Sequence, residues 1–202
     1  MNLAIVGNSS VGIDWKSNGG TYSPVHNANV VLGLGGKIPL LVKPTCPLPL
    51  LRRFTGGGTV VVDPMNTLYT TFIGRPGLVK EEGPRGVMDW SARAIYNDVF
   101  RSMNGSRATW SSGGDFKLLE NDYVLSLPNK PNLLKFGGNA QALTSSGFLH
   151  HTSFLYDWDD ANMSYLTVPE KRPDYRGDRG HGGFLVKMKE VWGEVSEDGR
   201  LE

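Results

Sequence analysis

The sequence predicts an α+β fold in which strands and helices share one core. Three observations lead there. Short apolar and β-branched runs recur along the chain, too short for helices and rich in valine, isoleucine and threonine. Glycine clusters separate them, contributing to 26 glycines in 202 residues, and glycine at such places lets a backbone turn sharply or meet a ligand closely. Only one segment, 87–103, carries a long apolar face at helical spacing.

In order, the run at 30–34 reads as a strand ending in the Gly35-Gly36 turn. Segment 39–49 holds four prolines, which excludes a helix and leaves an edge strand or an extended loop. A strand at 59–63, with three consecutive valines, is stopped by Pro64. Residues 68–73 are its expected antiparallel partner across the short 64–67 turn. Helix 87–103 aligns Val87, Trp90, Ala94, Ile95 and Val99, and Asn104-Gly105 ends it. Further strands are expected at 116–119, 123–126, 140–143 and 148–158. A helix capped by Asp159 or Asp160 runs to about Leu166, and a last helix fits 183–195. With no repeat and no linker, residues 30–202 form a single expected domain. Residues 1–29, rich in glycine, serine and asparagine, are an atypical segment that reads either as disordered or as a different start of the chain.

Composition narrows the function. Lys plus Arg is 21 and Asp plus Glu is 20, a net charge of +1, which argues against broad electrostatic binding to nucleic acid or membrane. The single cysteine, Cys46, excludes a disulfide framework and a multi-cysteine zinc site. No apolar run reaches the roughly 18–20 residues of a membrane helix. The first ten residues lack the features of a signal peptide, and no arginine-rich transit segment is visible. The expectation is a soluble intracellular protein, cytoplasmic by default with the mitochondrion as the alternative, and a monomer.

The segment with most chemistry is Leu51-Arg52-Arg53-Phe54-Thr55-Gly56-Gly57-Gly58-Thr59. Exposed amides of a glycine turn beside a guanidinium suit a phosphate or an adenylate. No Lys-Ser/Thr pair succeeds it at Walker spacing. The Gly33-Leu34-Gly35-Gly36-Lys37-Ile38 run is not a dinucleotide fingerprint, since Ile38 stands where a small residue belongs. Downstream, Lys135-Phe136-Gly137-Gly138-Asn139-Ala140 places a lysine before a second expected glycine turn. His150-His151-Thr152 comes next. Adjacent residues of a strand project to opposite faces, so the two histidines cannot chelate one ion and no metal is expected from the protein's own motifs. By the same rule only one of Arg52 and Arg53 is expected to reach a ligand, the other lying on the surface. Asp63 reads either as an orienting carboxylate or as a solvated strand end, and the tryptophans as core.

These blocks, in this order, resemble the lipoate–protein ligase family, whose members carry Arg-Arg-x-x-Gly-Gly-Gly, Lys-x-x-Gly-x-Ala and His-His-Gly-Ser/Thr. Asn121-Asp122 resembles the family's Asn-Asp pair, and the likeness spans about 30–189. It implies the fold shared with biotin ligases and class II aminoacyl-tRNA synthetases, a mixed, largely antiparallel sheet backed by helices. It also implies a two-step reaction, in which ATP with Mg2+ activates lipoate or octanoate as an acyl-adenylate. A lysine of a lipoyl-carrier domain, from a 2-oxoacid dehydrogenase or a glycine-cleavage protein, then takes the acyl group. By resemblance, Lys135 is the catalytic cation. Arg52, Arg53, Gly56, Gly57, Gly58, Asn121, Asp122, Gly138 and Ala140 would hold the adenylate, and His150 and His151 would line the acyl pocket.

The chain departs from the family pattern in three ways. Thr152 stands where the family has glycine, residues 1–29 show no leading helix, and no carboxy-terminal accessory domain is expected after Glu202. Two other chemistries compete with ligation. An octanoyltransferase would need a thioester cysteine, and Cys46, lying among prolines ahead of the arginines, is misplaced for it. A non-catalytic binder of the same fold is the other. A biotin ligase is disfavoured by the missing Gly-Arg-Gly-Arg-x-Gly-Arg loop.

Overall fold

The computed structural model describes residues 28–63, 66–75, 77–80, 83–105 and 115–193; the segment 1–27 lies outside them. Strand β1 (Asn29–Leu32) leads through a one-turn helix α1 (Ile38–Leu41) to β2 (Leu50–Arg52) and β3 (Val60–Val62). These strands form a small sheet in the order β2–β1–β3, with β2 parallel and β3 antiparallel to β1. The prolines did not exclude a helix, because Pro39 sits in the first turn of α1, where its missing N–H is not needed.

Strand β4 (Thr67–Gly74) comes next. It does not pair with β3 as a hairpin; it joins a second, five-stranded antiparallel sheet in the order β4–β8–β7–β6–β5. The other strands of that sheet are β5 (Asp115–Leu119), β6 (Asp122–Ser126), β7 (Leu134–Thr144) and β8 (Gly147–Leu155). The Val-Val-Val run of β3 instead pairs with the equally β-branched β1, Val61 opposite Val30. Both are buried in a cluster with Leu32, Val42, Leu48, Leu155 and Trp158.

The long helix is continuous but irregular: α2 (Gly83–Ser91), a π turn (Ala92–Tyr96) and α3 (Asn97–Gly105). A π turn inserts one extra residue and rotates the helix beyond it. The buried line therefore runs Val87, Ser91, Tyr96, Phe100, while Ala94 and Val99 of the expected face turn to solvent. This line packs on the aromatic layer of the large sheet, where Phe100 contacts the rings of Tyr96, Phe116, Phe136, Phe154 and Trp192.

After β8, α4 (Asp160–Met163) is capped by Asp159, whose side chain accepts from the Ala161 N–H. The expected last helix is two short ones, α5 (His181–Phe184) and α6 (Met188–Trp192). Between them the chain is extended: Leu185 bridges Lys135 in parallel, and the Val186 N–H donates to the Lys135 carbonyl at 3.0 Å. Residues 194–195 of that expected helix lie outside the described residues.

Candidate active site

Lys135 and Gly138 are three residues apart, and a regular strand would turn them to opposite faces. The register shows why they share one. Tyr123 pairs with Gly137 but Val124 pairs with Lys135, leaving Phe136 as an extra residue on β7. This is a β-bulge, not the glycine turn the sequence suggested. Phe136 enters the core, and a side chain at Gly137 would collide with the rings of Phe154 and Tyr123. Gly138 is back on the Lys135 face, its Cβ position 3.3 Å from the Lys135 Nζ. The spacing Lys-x-x-Gly-x-Ala is thus the spacing of a bulge: Lys135, Gly138 and Ala140 all look the same way.

The Lys135 ammonium lies 2.7 Å from Asp122 Oδ1, with the lysine side chain 25% exposed and the aspartate 9%. The other Asp122 oxygen accepts from the Tyr175 hydroxyl at 2.9 Å. On the neighbouring strand His151 pairs with Ala140. Its Nδ1 meets the Thr71 hydroxyl at 2.6 Å, and its ring lies 5.6 Å from that of Tyr69. Burial, helped by the nearby Arg53 charge, lowers the pKa of His151.

The triple-glycine loop reaches this face. Gly57 has φ of 107°, a region that disfavours side chains. A Cβ there would stand 3.1 Å from the Asn139 carbonyl oxygen and 2.7 Å from Arg53 Nη2. The two arginines each hold one glycine loop. Arg53 donates to the carbonyls of Gly58 at 2.7 Å, Gly56 at 3.1 Å and Val31 at 3.4 Å. Arg52 turns the other way and donates to Gly33 at 3.1 Å, Leu34 at 3.0 Å and Gly36 at 2.8 Å. The Gly33–Gly36 run, no dinucleotide motif, is the platform beneath: a side chain at Gly33 would overlap the Gly57 carbonyl.

His150 stands on the opposite face of β8, fully buried. Burial first, then the charge of His151, holds its pKa at about 4, so the ring is neutral near pH 7. The Gln141 amide nitrogen faces both the Pro84 carbonyl at 3.2 Å and His150 Nδ1 at 2.9 Å. Because a carbonyl can only accept, that atom is a donor to both, and the ring proton sits on Nε2, towards Ser91 Oγ at 3.1 Å. Thr152, also fully buried, lies on the same side, so its side chain does not crowd the Lys135 face.

Lys135, Asp122, Gly138, Ala140, His151, Arg53 and Gly57 therefore come together, with Gly56 and Gly58 as acceptors for Arg53. Arg52 and His150 point elsewhere, and Asn121 takes part through its backbone. Residues 172–184 were missed. Arg176 is buried and stacks over the Phe184 ring at 4.5 Å, and its Nη2 is buried without a hydrogen-bond partner. The pKa of half-buried His181 is held at about 4 by burial, then by the positive charges of Arg176, Lys135 and Lys43. Arg179 fixes this segment through the carbonyls of Leu133, Tyr175, Arg176 and Gly183. The legible signal was Tyr175-Arg176-Gly177-Asp178-Arg179-Gly180-His181, dense in cations and glycine. Among the described residues no group of three or more His, Cys, Asp or Glu could hold a metal ion, and no helix is long and apolar enough to cross a membrane.

The family model of the lipoyl protein ligase A/B catalytic domain matches residues 23–195. The chain is 31% identical over 184 residues to the inactive lipoate–protein ligase 2 of Plasmodium falciparum (isolate 3D7), covering 79% of this chain and 47% of that protein. It superposes on the bi-partite lipoate protein ligase of Thermoplasma acidophilum, described with its E2 lipoyl domain, with a TM-score of 0.61 and 21% identity. That match covers 86% of this chain and 63% of the other. A lipoate-protein ligase A bound with ATP gives a TM-score of 0.58 at 19% identity, covering 86% and 64%. The chain thus spans about half the length of the curated relative and less than two thirds of each solved structure. The mixed α+β frame is that of these ligases, a class II synthetase-like fold, and the chain belongs to the lipoyl protein ligase A/B catalytic-domain family.

Proposed function

We propose that the protein activates lipoate or octanoate with ATP and passes the acyl group to a lysine of a lipoyl-carrier domain. The observation that carries this reading is the place of Lys135: a part-exposed ammonium, steadied by Asp122, on the face approached by the Gly57 loop. There it would hold the acid's carboxylate against the α-phosphate of ATP. A carboxylate oxygen bonds to the α-phosphorus, the bond to the β-phosphate oxygen breaks, and pyrophosphate leaves. The carrier lysine, as a free amine, then attacks the acyl carbonyl, AMP departs, and the amine's proton is released to solvent or to the leaving phosphate. An oriented cation aimed at developing charge is typically worth about 10²-fold or more.

Arg176 and Lys43, whose charges reach His181 together with that of Lys135, would supply cations for the remaining phosphates. The described residues do not fit a resident metal: Asp122 is committed to Lys135 and Tyr175. Any Mg2+ would arrive on the nucleotide's phosphates, as this ion commonly does. A lipoyl domain as partner is supported by the Thermoplasma ligase and its E2 lipoyl domain.

The competing reading is a non-catalytic binder, favoured by the inactive Plasmodium relative. The deciding experiment is pyrophosphate–ATP exchange by the purified chain with and without lipoate or octanoate. Exchange that depends on the acid is expected; acid binding without exchange would overturn adenylation, and acyl transfer to the carrier without ATP would then separate an octanoyltransferase from a non-catalytic binder.

A further inference from the structure

The back of β7 and β8, away from Lys135, carries a buried polar layer that a site of this kind does not require for ligand contact. Thr152 Oγ1 donates to Asn139 Oδ1 at 2.8 Å. The orientation of that amide is settled by its other end, since Asn139 Nδ2 donates to the backbone carbonyl of Asn121 at 3.1 Å. The Tyr96 and Tyr123 hydroxyls also bear on Thr152. Tyr123 further meets Ser91 at 2.7 Å, which ties the layer to α2.

Asn121 is the residue before Asp122. The turn it belongs to is tight: Glu120 has φ of 53°, an uncommon conformation for a residue with a side chain. Two anchors hold that turn. One is Asn139, gripping the Asn121 carbonyl from β7; the other is the Glu120 carboxylate, which accepts from the Asp174 N–H at 2.9 Å. Asp122 begins its strand directly after this turn and holds Lys135 from there.

We propose that Thr152 and Asn139 are positioning residues that set the Lys135–Asp122 pair from the far side of the sheet. Where the family pattern has glycine, this chain supplies a hydroxyl that fixes the Asn139 amide. The amide fixes the turn, and the turn fixes the carboxylate. The catalytic part of the inference rests on the ligase reading; the mechanical part does not.

The test uses the full chain with Thr152→Val, which keeps the shape and removes the hydroxyl, and Thr152→Ser, which returns it. Two readouts need no activity: the rate at which a limiting amine-acylating reagent modifies Lys135, followed by mass spectrometry, and hydrogen exchange of the 120–123 turn. Loss of the Thr152 hydroxyl's hydrogen bond to the Asn139 oxygen is expected to raise both about tenfold in Thr152→Val. Thr152→Ser should return them to near the wild-type rates, with other lysines unchanged. Wild-type rates in Thr152→Val, or an equal increase at every lysine, would overturn the proposal. Where the wild-type chain exchanges pyrophosphate, Thr152→Val should lower kcat about tenfold and leave KM for ATP nearly unchanged, because Lys135 acts mainly in the transition state. A wild-type chain without exchange would sink the ligase reading, and the labelling result would still decide the positioning role.

Discussion

At Lys135 one charge has a local partner and, in the proposed reaction, a chemical task. Lys135→Ala leaves the Asp122 carboxylate with the Tyr175 hydroxyl and the nearby Arg176 charge, so the fold should survive while acid-dependent pyrophosphate exchange falls by about 10²-fold or more. Full exchange in a folded Lys135→Ala protein would remove this residue from the mechanism. His150 gives a prediction of a different kind. Its imidazole stays neutral down to about 4 in the fold and takes a proton near its ordinary value of 6.5 when unfolded. Between those values this group binds more protons in the unfolded chain, so its contribution to stability is complete above pH 6.5 and is lost as pH falls, at up to about 1.4 kcal/mol per unit. Urea titrations at about pH 7.5 and pH 5 should show this loss, and it should be smaller in His150→Gln; an unchanged pH slope in that variant would mean that His150 is already protonated in the fold. The alternation of His150 and His151 was legible because it needs only strand geometry. The partners were not, because Ser91, Gln141 and Thr71 reach the histidines through tertiary packing.

Among the elements, the Gly56–Gly58 loop was legible as a turn, but its support was hidden. Its neighbours are the backbones of Gly33 and Asn139, one earlier in the chain and one much later. A valine at position 57 would have to adopt φ of 107° with its Cβ 2.7 Å from the Arg53 guanidinium. Gly57→Val should therefore abolish calorimetric binding of an acyl-adenylate analogue, while the melting temperature changes little because the loop is exposed. Unchanged affinity would reduce the triple glycine to a simple turn. The long helix shows the limit of periodicity: spacing found it and glycine ended it, but a π turn is set by packing against the sheet, so the face beyond Ser91 was misread.

For the whole molecule, pairing between distant strands decided what local pattern could not. Residues 59–63 and 68–73 look like a hairpin, yet each gains more from a remote partner: β3 from the valines of β1, β4 from the whole length of β8. Phe100 sits where the long helix, the large sheet and α6 meet, stacked on Trp192 at 5.3 Å and edge-on to Phe136 at 5.0 Å. Phe100→Ala should destabilise the protein by about 3–5 kcal/mol, read as a lower denaturation midpoint. A loss below about 1 kcal/mol would mean that the neighbouring rings collapse into the space.

The extra residue at Phe136 bears on which heritable changes such a chain tolerates. Loss of that single codon would leave Lys135 and Gly138 two residues apart on an even strand, still on one face, with the pairs of Lys135 and Gly137 unchanged. In a library of one-codon deletions, the 136 deletion should keep Lys135 on the face of Asp122 and act instead through stability, since it removes the buried ring that packs on Phe100, Phe154 and Trp192. One-codon deletions at Ser145 or Ser146, in the turn joining β7 to β8, should be milder, since they leave the bulge in frame with its partner strand.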